Sequence, residues 1–189
     1  VTEIVFLLAG GMPLFDAVNY SLCTTATGGY GTHSSLLGEY YHSPAIEYVL
    51  IFFMFVSGIN YTLIYYTILK GKVKKFFDNM ELRTYLIIVL GASLACAVTL
   101  AVEVPGYGVE YAIRQSLFTV ISLQTTTGLA TVDYTLWPVQ LMPVLLFVMF
   151  AGACSGSTSG GVKCIRLSIV YRVLKNEFIP DDDLRKYFG

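Results

Sequence analysis

Apolar positions in this chain fall into long runs, not into the spaced pattern of a soluble amphipathic core. Residues 44–69 (PAIEYVLIFFMFVSGINYTLIYYTIL) and 84–104 (TYLIIVLGASLACAVTLAVEV) each have the length of a bilayer crossing, which takes about 20 mostly apolar residues. The first is predicted to open with Ser43 as N-cap and Pro44 in the first turn, with Glu47 near the interface. The second closes at Glu103, ahead of a Pro105-Gly106 turn. A third run, 138–151, is too short to cross alone and resumes at 162–174 after a glycine-rich break. Residues 1–11 read as the outer end of a span that begins earlier, so the chain is expected to be a piece of a longer one. No initiator Met or charged leader precedes that run, and a signal peptide is not expected.

Between the long runs lie two shorter amphipathic stretches, FDAVNYSLCTT at 15–25 and EYAIRQSLFTVISL at 110–123. Each predicts a short helix that begins near an acid. About 15 helical residues cover roughly 22 Å, enough to enter a bilayer and stop but not to cross it. Each is followed by a threonine- and glycine-rich segment, TTATGGYGT at 24–32 and QTTTGLAT at 124–131. The order span, short helix, Thr/Gly segment, span therefore occurs twice, with Thr27-Gly28 and Thr127-Gly128 one hundred residues apart. The predicted organisation is a first pore repeat at 1–69 with a truncated opening helix and a linker at 70–83. A second repeat follows at 84–175, with an intramembrane loop at 152–161, and then a terminal segment at 176–189.

Basic residues orient these spans. Lys70, Lys72, Lys74, Lys75 and Arg83 separate the two full spans, and Lys163, Arg166, Arg172, Lys175, Arg185 and Lys186 follow the third. Only Arg114 of the 12 lies elsewhere. The positive-inside rule then places 70–83 and 162–189 in the cytoplasm of a multi-pass cell-membrane protein, with the Thr/Gly segments toward the outside. Composition agrees: 55% of residues are hydrophobic and 13% charged, against about 25% charged in an ordinary soluble protein. The net charge of −1 excludes an electrostatic nucleic-acid binder. Cys23, Cys96, Cys154 and Cys164 lack metal or disulfide spacing. No nucleophile–base–acid set appears, so no enzyme is expected, and no covalent cofactor.

Non-helical backbone at membrane depth survives only where protein buries it or where it lines a wet path. Carbonyls along such a path replace the hydration shell of a monovalent cation. Glycine permits the dihedrals that aim them inward, and a helix ending there turns the negative end of its dipole toward the ion. The bland alternative is a pair of outer loops with glycine turns.

FDAVNYSLCTTATGGYGTHSS, SLQTTTGLATVDYTLWP and GACSGSTSGGVKCIR together resemble the TrkH/KtrB potassium transporters, in the superfamily that includes Trk and HKT proteins. The resemblance covers nearly the whole chain with three motifs in order. It implies an all-α integral membrane protein built from tandem helix–pore-helix–filter–helix repeats like those of a potassium channel. Four such repeats surround one ion path in the family, and this chain is similar to most of the second and all of the third. By that likeness Ala26, Thr27, Gly28, Thr126, Thr127 and Gly128 supply half of a K⁺ (or Na⁺) filter, with Gly28 and Gly128 as the filter glycines and Tyr30 packed behind. Two segments do not encircle an ion, so the chain alone is expected not to conduct selectively. The resemblance also implies a homodimer, a TrkA/KtrA-like cytoplasmic nucleotide-binding regulatory subunit, and control by ATP/ADP or NAD.

The break GACSGSTSGG at 152–161 admits three readings. A phosphate loop needs a Lys where Val162 stands after Gly156 and Gly161. Gly152, Gly156 and Gly160 have the spacing of a helix-packing face. The resemblance points instead to a mobile gate below the filter, comprising Gly152, Gly156, Ser157, Thr158, Gly160 and Gly161 and followed by Lys163. That lysine repels cations, anchors the loop or snorkels to the cytoplasmic surface. Asn60 lines an inner cavity or bonds a neighbouring helix. His33 and His42 are expected to be solvated, Trp137 to anchor at the interface, and 181–183 to form a solvated turn. Two functions from different classes follow: gated potassium uptake, or a non-transporting scaffold whose glycines pack helices. An ATP-hydrolysing P-loop protein is a third.

Overall fold

The structure, a computed structural model, describes residues 1–33, 36–41, 43–70, 79–104 and 107–177, and among these every regular element is helical. In order they are α1 (Thr2–Ala9), α2 (Leu14–Ala26), the single turn α3 (Leu37–Tyr40), α4 (Pro44–Ser57), α5 (Tyr61–Lys70), α6 (Met80–Glu103), α7 (Val109–Gln124), α8 (Met142–Ala151) and α9 (Cys164–Glu177). Two 3₁₀ turns, Tyr134–Leu136 and Val139–Leu141, lead into α8. The short helices α2 and α7 lie where the amphipathic stretches predict them, with Asp16 and Glu110 in their first turns.

Only α6 among the described helices has the length and apolarity to cross a membrane by itself. It starts four residues before the predicted position, because the Asn79 side chain accepts hydrogen bonds from the Glu81 and Leu82 amides at 2.9 and 3.3 Å. That cap satisfies two of the orphan donors that open any helix. Residues 71–78 of the expected linker, and 178–189 of the expected terminal segment, lie outside the described residues.

The predicted continuous span at 44–69 is a correction. It is two helices, α4 and α5, meeting at 97° across Gly58-Ile59-Asn60. Glycine is a weak helix former, and Asn60 turns its side-chain oxygen onto the Thr62 amide at 2.9 Å, opening α5 as a cap instead of serving a neighbouring helix. The second repeat is interrupted at the corresponding place, between α8 and α9. The two interruptions pair with each other: the Cys154 amide donates to the Gly58 carbonyl at 3.1 Å, and the Tyr61 amide donates to the Gly156 carbonyl at 3.2 Å. Backbone groups that would otherwise face hydrocarbon unpaired are satisfied in this way.

Packing follows from two apolar clusters. Leu7, Tyr20, Leu50, Met54, Tyr85 and Phe118 belong to one that joins α1, α2, α4, α6 and α7. Cys96, Leu100, Val120, Leu141, Leu145 and Val148 belong to the other, around α6, α7 and α8. Trp137 sits in the second cluster at 5% exposure. It is therefore a core residue, not an interfacial anchor, because the 3₁₀ turns fold the entry to α8 back onto α7.

Arg114, the basic residue that belongs to neither basic cluster, is buried. It donates to Glu47 at 2.8 Å and to Glu110 at 2.7 Å, while Gln115 donates to the same Glu47 oxygen at 2.9 Å. Glu47 thus lies inside the protein, pinning α4 to α7. Removing one partner of a buried pair leaves an uncompensated charge and typically costs about 3–5 kcal/mol. Arg114→Met should therefore lower thermal stability in detergent strongly, and adding Glu47→Gln should recover most of the loss.

Candidate ion path

Both short helices end in the same turn. At the end of α2 the Thr27 amide bonds the Thr24 carbonyl at 3.3 Å and the Gly28 amide bonds Cys23 at 2.9 Å. At the end of α7 the Thr126 amide bonds Leu123 at 3.1 Å and the Thr127 amide bonds Ser122 at 2.9 Å. This is the Schellman pattern, whose turning residue must be left-handed. Here that residue is a threonine both times, Thr27 at φ 50° and Thr126 at φ 55°. A β-branched residue in that region is strained, and surrounding structure must hold it there.

Two residues further on, Gly29 and Gly128 have φ 74° and 78°. By conformation, then, Thr27 matches Thr126 and Gly29 matches Gly128. This is one residue out of step with the expected equivalence of Gly28 and Gly128. Gly28 is not left-handed, since TGG offers two glycines and only the second occupies the turned position. The outgoing strands are tethered equivalently: the Tyr30 amide donates to Cys23 Sγ at 3.0 Å, and Ser122 Oγ donates to the Leu129 carbonyl at 2.6 Å.

The two segments touch. A Cβ on Gly29 would lie 2.4 Å from the Thr127 carbonyl oxygen. Ala26, the last residue of α2, and Gly128 are exposed at this junction, and Thr127 is buried. The Thr127 hydroxyl pairs with that of Thr125 at 2.8 Å, so it serves packing and leaves its carbonyl at the contact. Tyr30 is 84% exposed and does not pack behind the segment.

The glycine-rich loop lies directly against both turned threonines. Thr27 Oγ1 donates to the carbonyls of Ala26 at 2.8 Å and Thr158 at 3.1 Å. Thr158 Oγ1 reaches the Thr25 carbonyl at 3.2 Å, and the Gly160 amide donates to Thr126 Oγ1 at 2.7 Å. The loop is pinched at its neck, where a Cβ on Gly152 (φ 65°) would sit 2.6 Å from the Gly160 carbonyl oxygen. Gly156 and Gly161 also have positive φ. Within the loop Ser157 Oγ bonds the Cys154 carbonyl at 2.7 Å and Ser159 Oγ at 2.9 Å. Lys163, itself left-handed, folds back onto the Ser159 carbonyl and, at 3.3 Å, its hydroxyl. This contact ties the Lys163 ammonium to the loop's own backbone.

The helix-packing reading of 152, 156 and 160 fails, because these residues form no helix. The phosphate-loop reading finds its amides already taken, Gly160's by Thr126 and Ser155's by Glu81. Three supporting residues were not anticipated. Glu81 accepts from the loop, Gln124 donates to the Gly152 carbonyl at 3.2 Å, and Glu3 accepts from Thr24 at 2.5 Å in the last turn of α2. Each is a polar residue placed at the start of an apolar helix or the end of a short one, which was the available signal.

Tyr20, Gly29, His33, Leu37, Gly128 and Ala130 border a cavity of ≈ 340 Å³. His33 is not simply solvated: it stacks on Tyr40 at 3.6 Å and lies 3.2 Å from Asp16. His42 is outside the described residues. Tyr41 also donates to Asp16, and that hydrogen bond holds the Asp16 carboxyl below its usual range despite burial.

Two expectations test this geometry. Gly29→Ala should destabilise the junction by about 1–3 kcal/mol, whereas Gly28→Ala, whose Cβ meets nothing nearer than 3.7 Å, should be tolerated; thermal unfolding separates them. A carboxylate with depressed pKa contributes stability above its unfolded value and loses it as pH falls through the folded one. Tyr41→Phe should therefore shift acid loss of protection in 36–41 upward toward about pH 4, as read by hydrogen exchange.

The family model for TrkH, a cation transport protein, matches residues 5–187. The Trk system potassium uptake protein TrkG of Escherichia coli is 36% identical over 167 residues, which is 88% of this chain and 34% of that protein. TrkH of Salmonella typhimurium is 34% identical over 163 residues, 86% of this chain and 33% of that protein. The crystal structure of the potassium transporter TrkH from Vibrio parahaemolyticus superposes with a TM-score of 0.86 at 33% identity, over 95% of this chain and 40% of that one. The chain thus spans about a third of the length of its curated relatives. It is an all-α membrane protein with pore-helix repeats, and it belongs to the TrkH family of cation transport proteins.

Proposed function

We propose that this chain forms two of the four quarters of a path that admits K⁺ into the cell, and that loop 152–161 is its gate. The observation that carries this reading is the hydrogen bonding of the loop to the equivalent left-handed threonines of both repeats, Thr27 and Thr126. A loop held there occludes the inner ends of both filter segments, and moving it frees two hydroxyls and opens the path. Carbonyls of 26–28 and 126–128 line that path, K⁺ being the cargo, with Na⁺ as its competitor. The two pore repeats are 1–69 and 84–175. The basic clusters orient the protein in the cell membrane, with 70–83 and 162–189 toward the cytoplasm.

Entry is driven by the membrane potential, worth about 2.3 kcal/mol per charge per 100 mV. The relatives are named as potassium uptake systems, which supports K⁺ and a transporter without enzymatic activity. A nucleotide-binding cytoplasmic subunit moving the loop and a homodimeric assembly complete the reading.

Gly128, with left-handed φ and an exposed position, provides the test. Gly128→Leu should abolish potassium-dependent growth and Rb⁺ uptake while the protein still reaches the membrane. Unchanged uptake would leave only a helix-packing scaffold. Thr27→Val with Thr126→Val should raise uptake in the unstimulated state, since both bonds to the loop are lost.

A further inference from the structure

Beside the path, α6, α8 and α9 enclose a cavity of ≈ 860 Å³. Ile87, Phe147, Leu167 and Val170 give it apolar walls, and Arg83 and Arg172 add two guanidinium groups. A 2.9 Å contact between Thr84 and Ser168 hydroxyls ties α6 to α9 at this place. Both arginines are exposed, and neither forms an ion pair among the described residues. Glu81 lines the adjoining cavity with Arg172, yet its carboxylate is taken by the Ser155 amide.

The apolar wall does not stop at the cavity. Ile87, Leu90, Leu94, Val98 and Val102 are all exposed and follow one face of α6 for most of its length. From 87 to 102 that face rises roughly 22 Å, more than one leaflet's share of a hydrocarbon core about 30 Å thick.

We propose that this groove is a binding site for an anionic phospholipid of the cytoplasmic leaflet. Arg83 and Arg172 receive the headgroup phosphate, and the acyl chains lie in the groove and along the Ile87–Val102 face. The chemistry selects this occupant. Guanidinium groups with no ion pair among the described residues, at the cytoplasmic boundary, match a phosphodiester, and basic pockets between spanning helices on that side recruit anionic headgroups. A long exposed apolar face continuous with the cavity matches acyl chains and gives an inorganic anion no hold. The site uses none of the residues assigned to the ion path; it rests on the proposed orientation of 70–83 and 162–189, but not on the filter or the gate.

The test is lipid retention by the purified protein in mild detergent, measured by native mass spectrometry against phosphatidylglycerol, cardiolipin and phosphatidylcholine. Each basic side chain near an anionic surface is worth about a fivefold preference, so Arg83→Gln with Arg172→Gln should reduce anionic-lipid retention roughly 30-fold. Phosphatidylcholine retention should be unaffected. Ile87→Trp, which fills the apolar part and keeps both arginines, should also expel the lipid, and inorganic phosphate should not compete. Equal retention of phosphatidylcholine, an unchanged double variant, or displacement by inorganic phosphate would each overturn the proposal. A benzophenone amino acid at position 87 gives a second readout in the native membrane. A phospholipid adduct supports the site; an adduct to an acidic protein segment overturns it.

Discussion

Backbone amides and carbonyls that leave a helix inside a membrane have no water to fall back on, and this constraint organises the whole molecule. Each repeat interrupts its second span, one at 58–60 and the other at 152–163. The two interruptions satisfy each other through the Cys154–Gly58 and Tyr61–Gly156 hydrogen bonds. Each break thus supplies backbone partners to the other, which ties the two repeats together in spite of their similar internal order.

The same loop that closes this exchange also meets both short helices at their ends. Left-handed threonines are costly, and the loop supplies part of what holds them: a carbonyl for the Thr27 hydroxyl and an amide for that of Thr126. The turned backbone of the two Thr/Gly segments and the position of the loop are therefore not separate properties. Without the loop, two backbone conformations would lose one of their constraints. Lys163 serves this arrangement by holding the loop's own curvature through Ser159, its charge turned inward to a carbonyl. Any coupling between the turned threonines and the loop needs no long-range signal, because they share hydrogen bonds.

Much of this was legible in the residues. Apolar run length and the two basic clusters give the order of spans, and amphipathic stretches with an early acid give α2 and α7. Quoted motifs were enough to recognise the family. What stayed hidden depends on tertiary pairing. Nothing in PAIEYVLIFFMFVSGINY marks Gly58 as the end of a helix until a partner for its carbonyl exists. Sequence spacing pairs Gly28 with Gly128, but the chain contains two consecutive glycines and only the backbone decides which one turns. Glu47 and Arg114 read as an interfacial acid and a stray base, since a buried pair 67 positions apart leaves no local trace. Trp137 beside Pro138 carries the pattern of an interfacial aromatic, and only the folding of the 3₁₀ turns onto α7 buries it.

One tether has a mechanical meaning. The Ser155 amide is held by Glu81, and Glu81 belongs to the first turn of α6, two residues past the Asn79 cap. That turn is where the long helix meets the segment rich in lysine. One of the loop's attachments thus sits at the entry of a 24-residue helix that packs along α7. The Glu81 carboxylate joins that entry directly to the backbone of the loop, beside the bonds the loop makes to both turned threonines.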